Sequence, residues 1–340
     1  MMRSVPSLIA LAILCGCGSA PTPKATEPAR APSAGVVERI DPALEALVPA
    51  GATIEKLAGG MKFIEGPLWM PAGHLLFSDV QGNVIYKWAP GDTAASVYLE
   101  KSGADECAPD SFCGSNGLAL DKKGRVLVAM HGRGKIMALE ADGKQTAVAE
   151  KYQGKRLNSP NDMAWKSDGS LYFTDPPYGF PKQDEDPKKE LKFNGVYRLD
   201  PDGKVRLLYQ GMTRPNGIGF SPDEKWLYVA NSDPAKKVWM KFPVGADGSL
   251  GTPQVLLDVT AETADGLPDG LKLDKQGNLY ATGPGGVWVF SPEGKLLGKI
   301  KPAEVPANVG WGDDGKSLYM TARTGLYRIK LAAEGALPGA

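Results

Sequence analysis

Histidine is nearly missing from this chain: His74 and His131 are the only two among 340 residues. A zinc centre built on several imidazoles is thereby excluded, and so is any catalysis that needs more than two of them. Neither sign of charge is in surplus, with 39 Lys+Arg against 39 Asp+Glu. A nucleic-acid binder needs a basic excess to offset phosphates, so that class is set aside. No Gly-x-Ser-x-Gly elbow occurs, which together with the scarce histidines argues against a serine triad. The longest apolar run, Val5 to Leu14, is too short to span a bilayer. Amphipathic helical periodicity is absent between the strand-like runs, which argues against a parallel sheet with helical crossovers.

The short apolar run has a use. Arg3 precedes it and Leu14-Cys15-Gly16-Cys17 ends it, a pattern resembling the bacterial lipobox. Residues 1–17 are expected to be a lipoprotein-type signal peptide, with Cys17 lipidated; a plain secreted protein is the alternative. Gly18 to Gly35 is rich in Ala, Pro, Ser and Thr and reads as a tether. The expected division is tether and lead-in over 18–50, one folded domain over 51–332, and a C-terminal tail over 333–340. The protein is expected to be exported. It would face the periplasm or exterior and touch the membrane only through its lipid, or be periplasmic if the lipid is absent. Cys107 and Cys113, with five residues between them in a Pro/Asp/Ser/Gly-rich loop, would then meet an oxidising compartment and are expected to form a local disulfide.

What the chain has in quantity is turn residues: 42 glycines and 28 prolines, about a fifth of it. They punctuate a repeat. Its copies open at Glu65-Gly66-Pro67, Asn116-Gly117-Leu118, Asn161-Asp162-Met163, Asn216-Gly217-Ile218 and Asp269-Gly270-Leu271. A sixth fits with Ala307 in first place. In four copies a glycine follows eight positions later (Gly73, Gly124, Gly169, Gly277), and a second strand-like run comes after it. The first positions lie 38 to 55 residues apart, the length of a four-stranded propeller blade. The spacing predicts an all-β, six-bladed β-propeller, a ring that leaves no long sheet edge open. Residues Thr53–Leu57 are expected to supply the outer strand of the last blade.

Inner strands of a propeller start beside the central channel, so the six first positions should converge. They read Glu65, Asn116, Asn161, Asn216, Asp269 and Ala307. Asn and Asp favour strand starts for local backbone reasons, but a glutamate in the same place does not follow from that. Five oxygen-bearing side chains aimed at one mouth describe a cage for a hard divalent cation. Loops after the second strands rise on the same face and carry His131, Tyr178 and Asn231-Ser232-Asp233-Pro234. His131 and Tyr178 are expected to line the pocket, the charge-dense stretch Lys182–Lys192 to be a disordered loop, and His74 to be a solvated residue on the opposite side.

Glu65-Gly66-Pro67, Arg156-Leu157-Asn158-Ser159-Pro160-Asn161-Asp162, Thr174-Asp175-Pro176-Pro177-Tyr178-Gly179, Arg214-Pro215-Asn216-Gly217 and Pro268-Asp269-Gly270 together resemble the gluconolactonase/regucalcin (senescence marker protein) family. The resemblance runs from about residue 51 to 330. It implies a six-bladed propeller with one divalent metal at the channel mouth, usually Ca²⁺, with Mg²⁺, Mn²⁺ or Zn²⁺ as substitutes. It places metal ligands on Glu65, Asn216 and Asp269, with Asn161 a fourth ligand or a substrate contact, and leaves Asn116 out. It implies a lactonase, for which a sugar lactone such as gluconolactone is the expected substrate and Asp269 the base that activates water. A phosphotriesterase on the same site, or a ligand-binding propeller without catalysis, are the competing functions. The chain is expected to be a monomer.

Overall fold

Alternating apolar residues and turn glycines fold each repeat into a small antiparallel sheet. In the computed structural model, which describes residues 1–2 and 33–338, six such sheets stand around one axis. The first consists of Ile64–Met70, His74–Asp79, Val84–Trp88 and Ser96–Glu100, ordered from axis to rim. The other inner strands are Ser115–Leu120, Met163–Trp165, Pro215–Phe220, Leu271–Leu273 and Pro306–Gly312. Each packs on the next and the last returns to the first. The six-bladed all-β propeller expected from the spacing is the fold.

The core is six wedges rather than one centre. Successive residues of a strand face opposite sides of its sheet, so one strand feeds two wedges. In the third blade Leu171 and Phe173 pack toward the second blade, whereas Tyr172 packs toward the fourth. Trp69, Phe77, Tyr319 and Leu326 fill the wedge where the sixth blade meets the first. Each fully buried large side chain contributes about 1.5–3 kcal/mol, so the ring is held by its blade-to-blade contacts.

Two polar details tie the blades at the channel. The hydroxyls of Ser78, Thr174 and Thr282 donate to the first-position carbonyls of the following blade, at Asn116, Asn216 and Ala307. The glycine after the first position is there for clearance. A Cβ on Gly117 would sit 2.4 Å from the Asn161 carbonyl oxygen, and one on Gly217 would sit 2.2 Å from that of Asp269. The Gly117 and Gly270 amides donate to the carbonyls of Asn161 and Ala307 (2.8 Å each), so Ala307 does hold the sixth first position.

The chain before residue 51 is more than a lead-in. Ile54–Ala58 completes the sixth blade, pairing with Gly325–Lys330, and Gly35–Arg39 adds a fifth strand to the fifth blade beside Leu296–Pro302. Residues 33–50 are therefore built into the rim. The stretch after Ala332 is built in as well. The backbone of Gly335 bonds to that of Gly315, Lys275 donates to Glu334, and a Cβ on Gly335 would fall 2.0 Å from the Trp311 ring. Cys17, residues 3–17 of the expected signal peptide and the tether up to residue 32 lie outside the described residues. Among the described residues no helix is long and apolar enough to cross a membrane.

Candidate metal and substrate site

The start of each inner strand faces one mouth of the channel, and there a cavity of about 370 Å³ opens. Asn116, Asn161 and Asn216 lie in its wall, with His131, Tyr178, Ser232 and Arg214 around them. Beside these amides Glu65 is buried, and its carboxylate and that of Asp269 are near enough to repel each other. The fold thus brings Glu65, Asn161, Asn216 and Asp269 together, and Asn116 with them.

The electrostatics of the group are those of anions deprived of water. Burial pushes the Glu65 carboxyl up to about 7, although the Asn308 side chain and the Gly66 amide bond to it. Burial, then the charges of Glu65 and Asp162, hold Asp269 well above the usual carboxylate range, against the Gly270 amide and the Asn216 side chain. Among the described residues Asn116 Oδ1, Asn161 Oδ1 and Asp269 Oδ1 are shielded from solvent with no hydrogen-bond partner. A buried acceptor left without a donor costs about 1–3 kcal/mol. Three around one mouth form an oxygen-lined cradle that a hard cation would satisfy. No group of three or more His, Cys, Asp and Glu side chains is gathered among the described residues, so such a cradle depends on carboxamides. Asn116, which the family resemblance left out, offers the same bare oxygen as Asn161.

A second tier lies below. Asp162 is buried, accepts from its neighbour's amide at Met163 (2.8 Å), and meets Lys272 Nζ at 3.3 Å. Asn308, in the matching place of the sixth blade, accepts from Val309 (2.8 Å) and bonds to Glu65. These residues follow the first positions by one step, where the other four copies carry glycine.

The upper wall is made by side chains from the loops. His131 is fully buried. Its Nδ1 lies 3.1 Å from the Phe112 carbonyl oxygen, which can only accept, so Nδ1 carries the proton and Nε2 keeps a bare lone pair. Burial lowers its pKa to about 4, so the ring is neutral near pH 7. Tyr178 stands 6.3 Å from His131, centroid to centroid, and its hydroxyl bonds with Ser232 and Asn216. Burial, and the nearby charge of Asp269, keep that phenol protonated. His74 is half-buried at the opposite end of the first blade and takes no part.

The charge-dense stretch Lys182–Lys192 is ordered, contrary to expectation. Lys189 is buried, donates to the carbonyls of Leu191 (2.7 Å) and Phe193 (3.2 Å), and pairs with Asp184 at 3.5 Å. Asp184 in turn holds Arg214, and Gln183 accepts from the same guanidinium at 3.1 Å. Internal charge pairing turns a stretch that looks solvated into a fixed rim that carries Gln183 into the pocket wall. Phe63 and Phe112, which no repeat position marked, also line it. Cys107 and Cys113 are joined, their Cα atoms 5.8 Å apart, one residue from Phe112.

Comparison with known proteins agrees with this architecture. Residues 63–324 match the family model described as SMP-30/Gluconolactonase/LRE-like region. A gluconolactonase of Zymomonas mobilis is 39% identical over 313 residues, covering 88% of this chain and 87% of the relative. A gluconolactonase structure from Xanthomonas campestris superposes with a TM-score of 0.76 at 32% identity, covering 87% of this chain and 94% of that one. A diisopropyl-fluorophosphatase of Loligo vulgaris is 24% identical over 213 residues, or 60% of this chain and 67% of its own. The family expected from the motifs is borne out: this chain belongs to the SMP-30/gluconolactonase/LRE-like family.

Proposed function

We propose that the chain is a lactonase that depends on a divalent metal ion, with a sugar lactone such as gluconolactone as substrate. The observation that carries the proposal is the set of bare buried oxygens on Asn161 and Asp269 beside the cavity, with Glu65 and Asn216 adjoining. Glu65, Asn161, Asn216 and Asp269 would hold the ion, and an all-oxygen set suits Ca²⁺ best, with Mg²⁺, Mn²⁺ or Zn²⁺ as substitutes. When bound, the ion supplies a Lewis acid that polarises the lactone carbonyl. Asp269 takes a proton from water as the water oxygen bonds to the carbonyl carbon. The ring C–O bond then breaks and its oxygen receives a proton, giving the hydroxy acid. His131 Nε2 accepts from a substrate hydroxyl, and Tyr178 and Asn161 fix the ring's orientation. The relative that acts on a fluorophosphate supports a second reading, phosphotriester hydrolysis on the same residues.

The test is a lactone panel with chelated and calcium-restored protein. Loss of turnover on chelation and its return with calcium are expected. A folded protein that binds calcium yet opens no lactone and no phosphotriester would make it a binding module. Export belongs to the same proposal. Cys17→Ser should move the protein out of the membrane fraction with its activity intact; unchanged fractionation would remove the lipid anchor.

A further inference from the structure

The cavity is polar on one side and aromatic on the other. Arg214, Gln183, Asn216 and Ser232 come from the third and fourth blades and the segment between them. Phe63 and Phe112 come from the first blade and the segment leading to the second. In a six-membered ring the first and fourth blades stand across the axis from each other, so the two sets face one another over the channel.

Phe112 is out of place for a folding role. At 36% relative exposure it is the one Phe or Trp among the described residues that counts as exposed. Its ring meets Phe63 edge-on at 5.1 Å and 72°. Its backbone is nonetheless fixed. The Phe112 carbonyl is held by His131 Nδ1, the next carbonyl, of Cys113, accepts from Gly132 (2.9 Å), and Gly114 donates to Val80 (2.9 Å). The Cys107–Cys113 bridge closes the loop on the other side. A phenyl ring held open to water at a pocket wall gains by burial only when something apolar arrives.

We propose that the Cys107–Cys113 loop is the specificity wall of this site, and that Phe112 with Phe63 selects lactones bearing an apolar substituent opposite their polar end. The inference rests on the lactonase reading alone: gluconolactone bears no apolar arm, so alkyl-bearing lactones are added to the sugar lactones as a second substrate class. Phe112 is a specificity residue only: its phenyl ring can neither give nor take a proton, and the bond to His131 uses its backbone, which survives substitution.

The experiment compares δ-decalactone with δ-valerolactone, the same ring without the alkyl arm, on calcium-loaded protein. Wild type should show the higher kcat/KM on δ-decalactone. Phe112→Ala should lower that value by about tenfold, mainly through KM, and leave δ-valerolactone within about twofold, the scale of lost apolar contact in a pocket. Phe112→Leu should recover most of it. Cys107→Ser/Cys113→Ser should give the same selective loss at smaller size, because Cys113 keeps its backbone bond. Equal losses on both lactones, or no preference in the wild type, would overturn the wall; an unchanged double variant would overturn the brace. Calorimetry with 6-pentyl-2-piperidone and 2-piperidone, lactams of the same shapes, reads recognition without turnover. Phe112-dependent binding of the pentyl lactam by a protein that opens no lactone would sink the lactonase reading and keep the wall. Turnover of both lactones without Phe112-dependence would do the reverse.

Discussion

At one mouth of the channel stand Glu65, Asn116, Asn161, Asn216 and Asp269, with three oxygens left bare. At the other stand Met163, Trp165, Phe220 and Trp311, with Ala336 laid across them. Lys272 and Asp162 lie between, an ion pair linking the two ends. The same six strands build both mouths. Five of their six first positions carry oxygen, and three of those oxygens go without a partner; toward the other end three of the strands carry Trp165, Phe220 and Trp311, which pack. Stability and ligand chemistry are therefore separated along the axis, and substitutions at the two ends should fail in different ways.

The largest effect is expected from Asp269→Asn. Size is kept while charge and proton-accepting capacity are lost, so kcat should drop by about 10²–10⁴-fold with the thermal midpoint held or raised, since a repelled buried anion is removed. A fall in both together would show that the ends are coupled. Trp311→Ala is the opposite case. Trp311 is 4% exposed, packs edge-on to Tyr280 at 5.0 Å and donates to the Leu273 carbonyl at 2.9 Å. Chemical denaturation should show a loss of about 3–5 kcal/mol, with activity per folded molecule unchanged.

A smaller effect is expected from pH on chelated protein. Burial raises both Glu65 and Asp175 to about 7. For a carboxyl raised above its unfolded value, the contribution is full below that value and is lost as pH rises through the folded one. The thermal midpoint of the chelated protein should accordingly fall from about pH 4 to about pH 7.5 and level off above, by on the order of a few degrees, and Glu65→Gln should flatten part of the slope. Calcium should remove the Glu65 part by favouring its charged form. A midpoint that rises over this range would contradict the burial argument. The smallest change is expected from Thr174→Val, which deletes the 2.7 Å bond to the Asn216 carbonyl. A loss of about 0.5–1.5 kcal/mol and a twofold-scale change in KM, about the limit of detection, would show how far one blade tie reaches into the site.

The legible and illegible parts of this molecule differ by repetition. The blades could be read because each must turn at a fixed distance and each must clear its neighbour, as Gly117 and Gly217 do. The first positions could be read because ring topology sends them to one place. Phe112 could not, since it sits in the segment between two blades, where no repeat gives it an address. Lys189 looked like one charge among many, and its burial depends on carbonyls that only the folded loop supplies. Asp162 and Asn308 match each other in the structure, yet most copies place glycine there, so the pair was hidden. Gly35–Arg39 joins a strand more than 260 residues away, shown by Glu38 and Lys301, 263 positions apart, and nothing local announces such a partner.

The rim strand Ile54–Ala58 carries a consequence for synthesis. Glu55 bonds to Arg328, 273 residues later. At about 5–20 residues per second, that strand must wait on the order of tens of seconds for its partner to be made. Blades of consecutive strands can form as they emerge, but this strand stays unpaired until the last blade exists. During that interval its open edge can take a strand from another nascent chain. Charged Glu55 and Lys56 in its middle are the kind of residues that discourage such a partner, and their replacement by apolar ones should show first as poorer yield of folded protein.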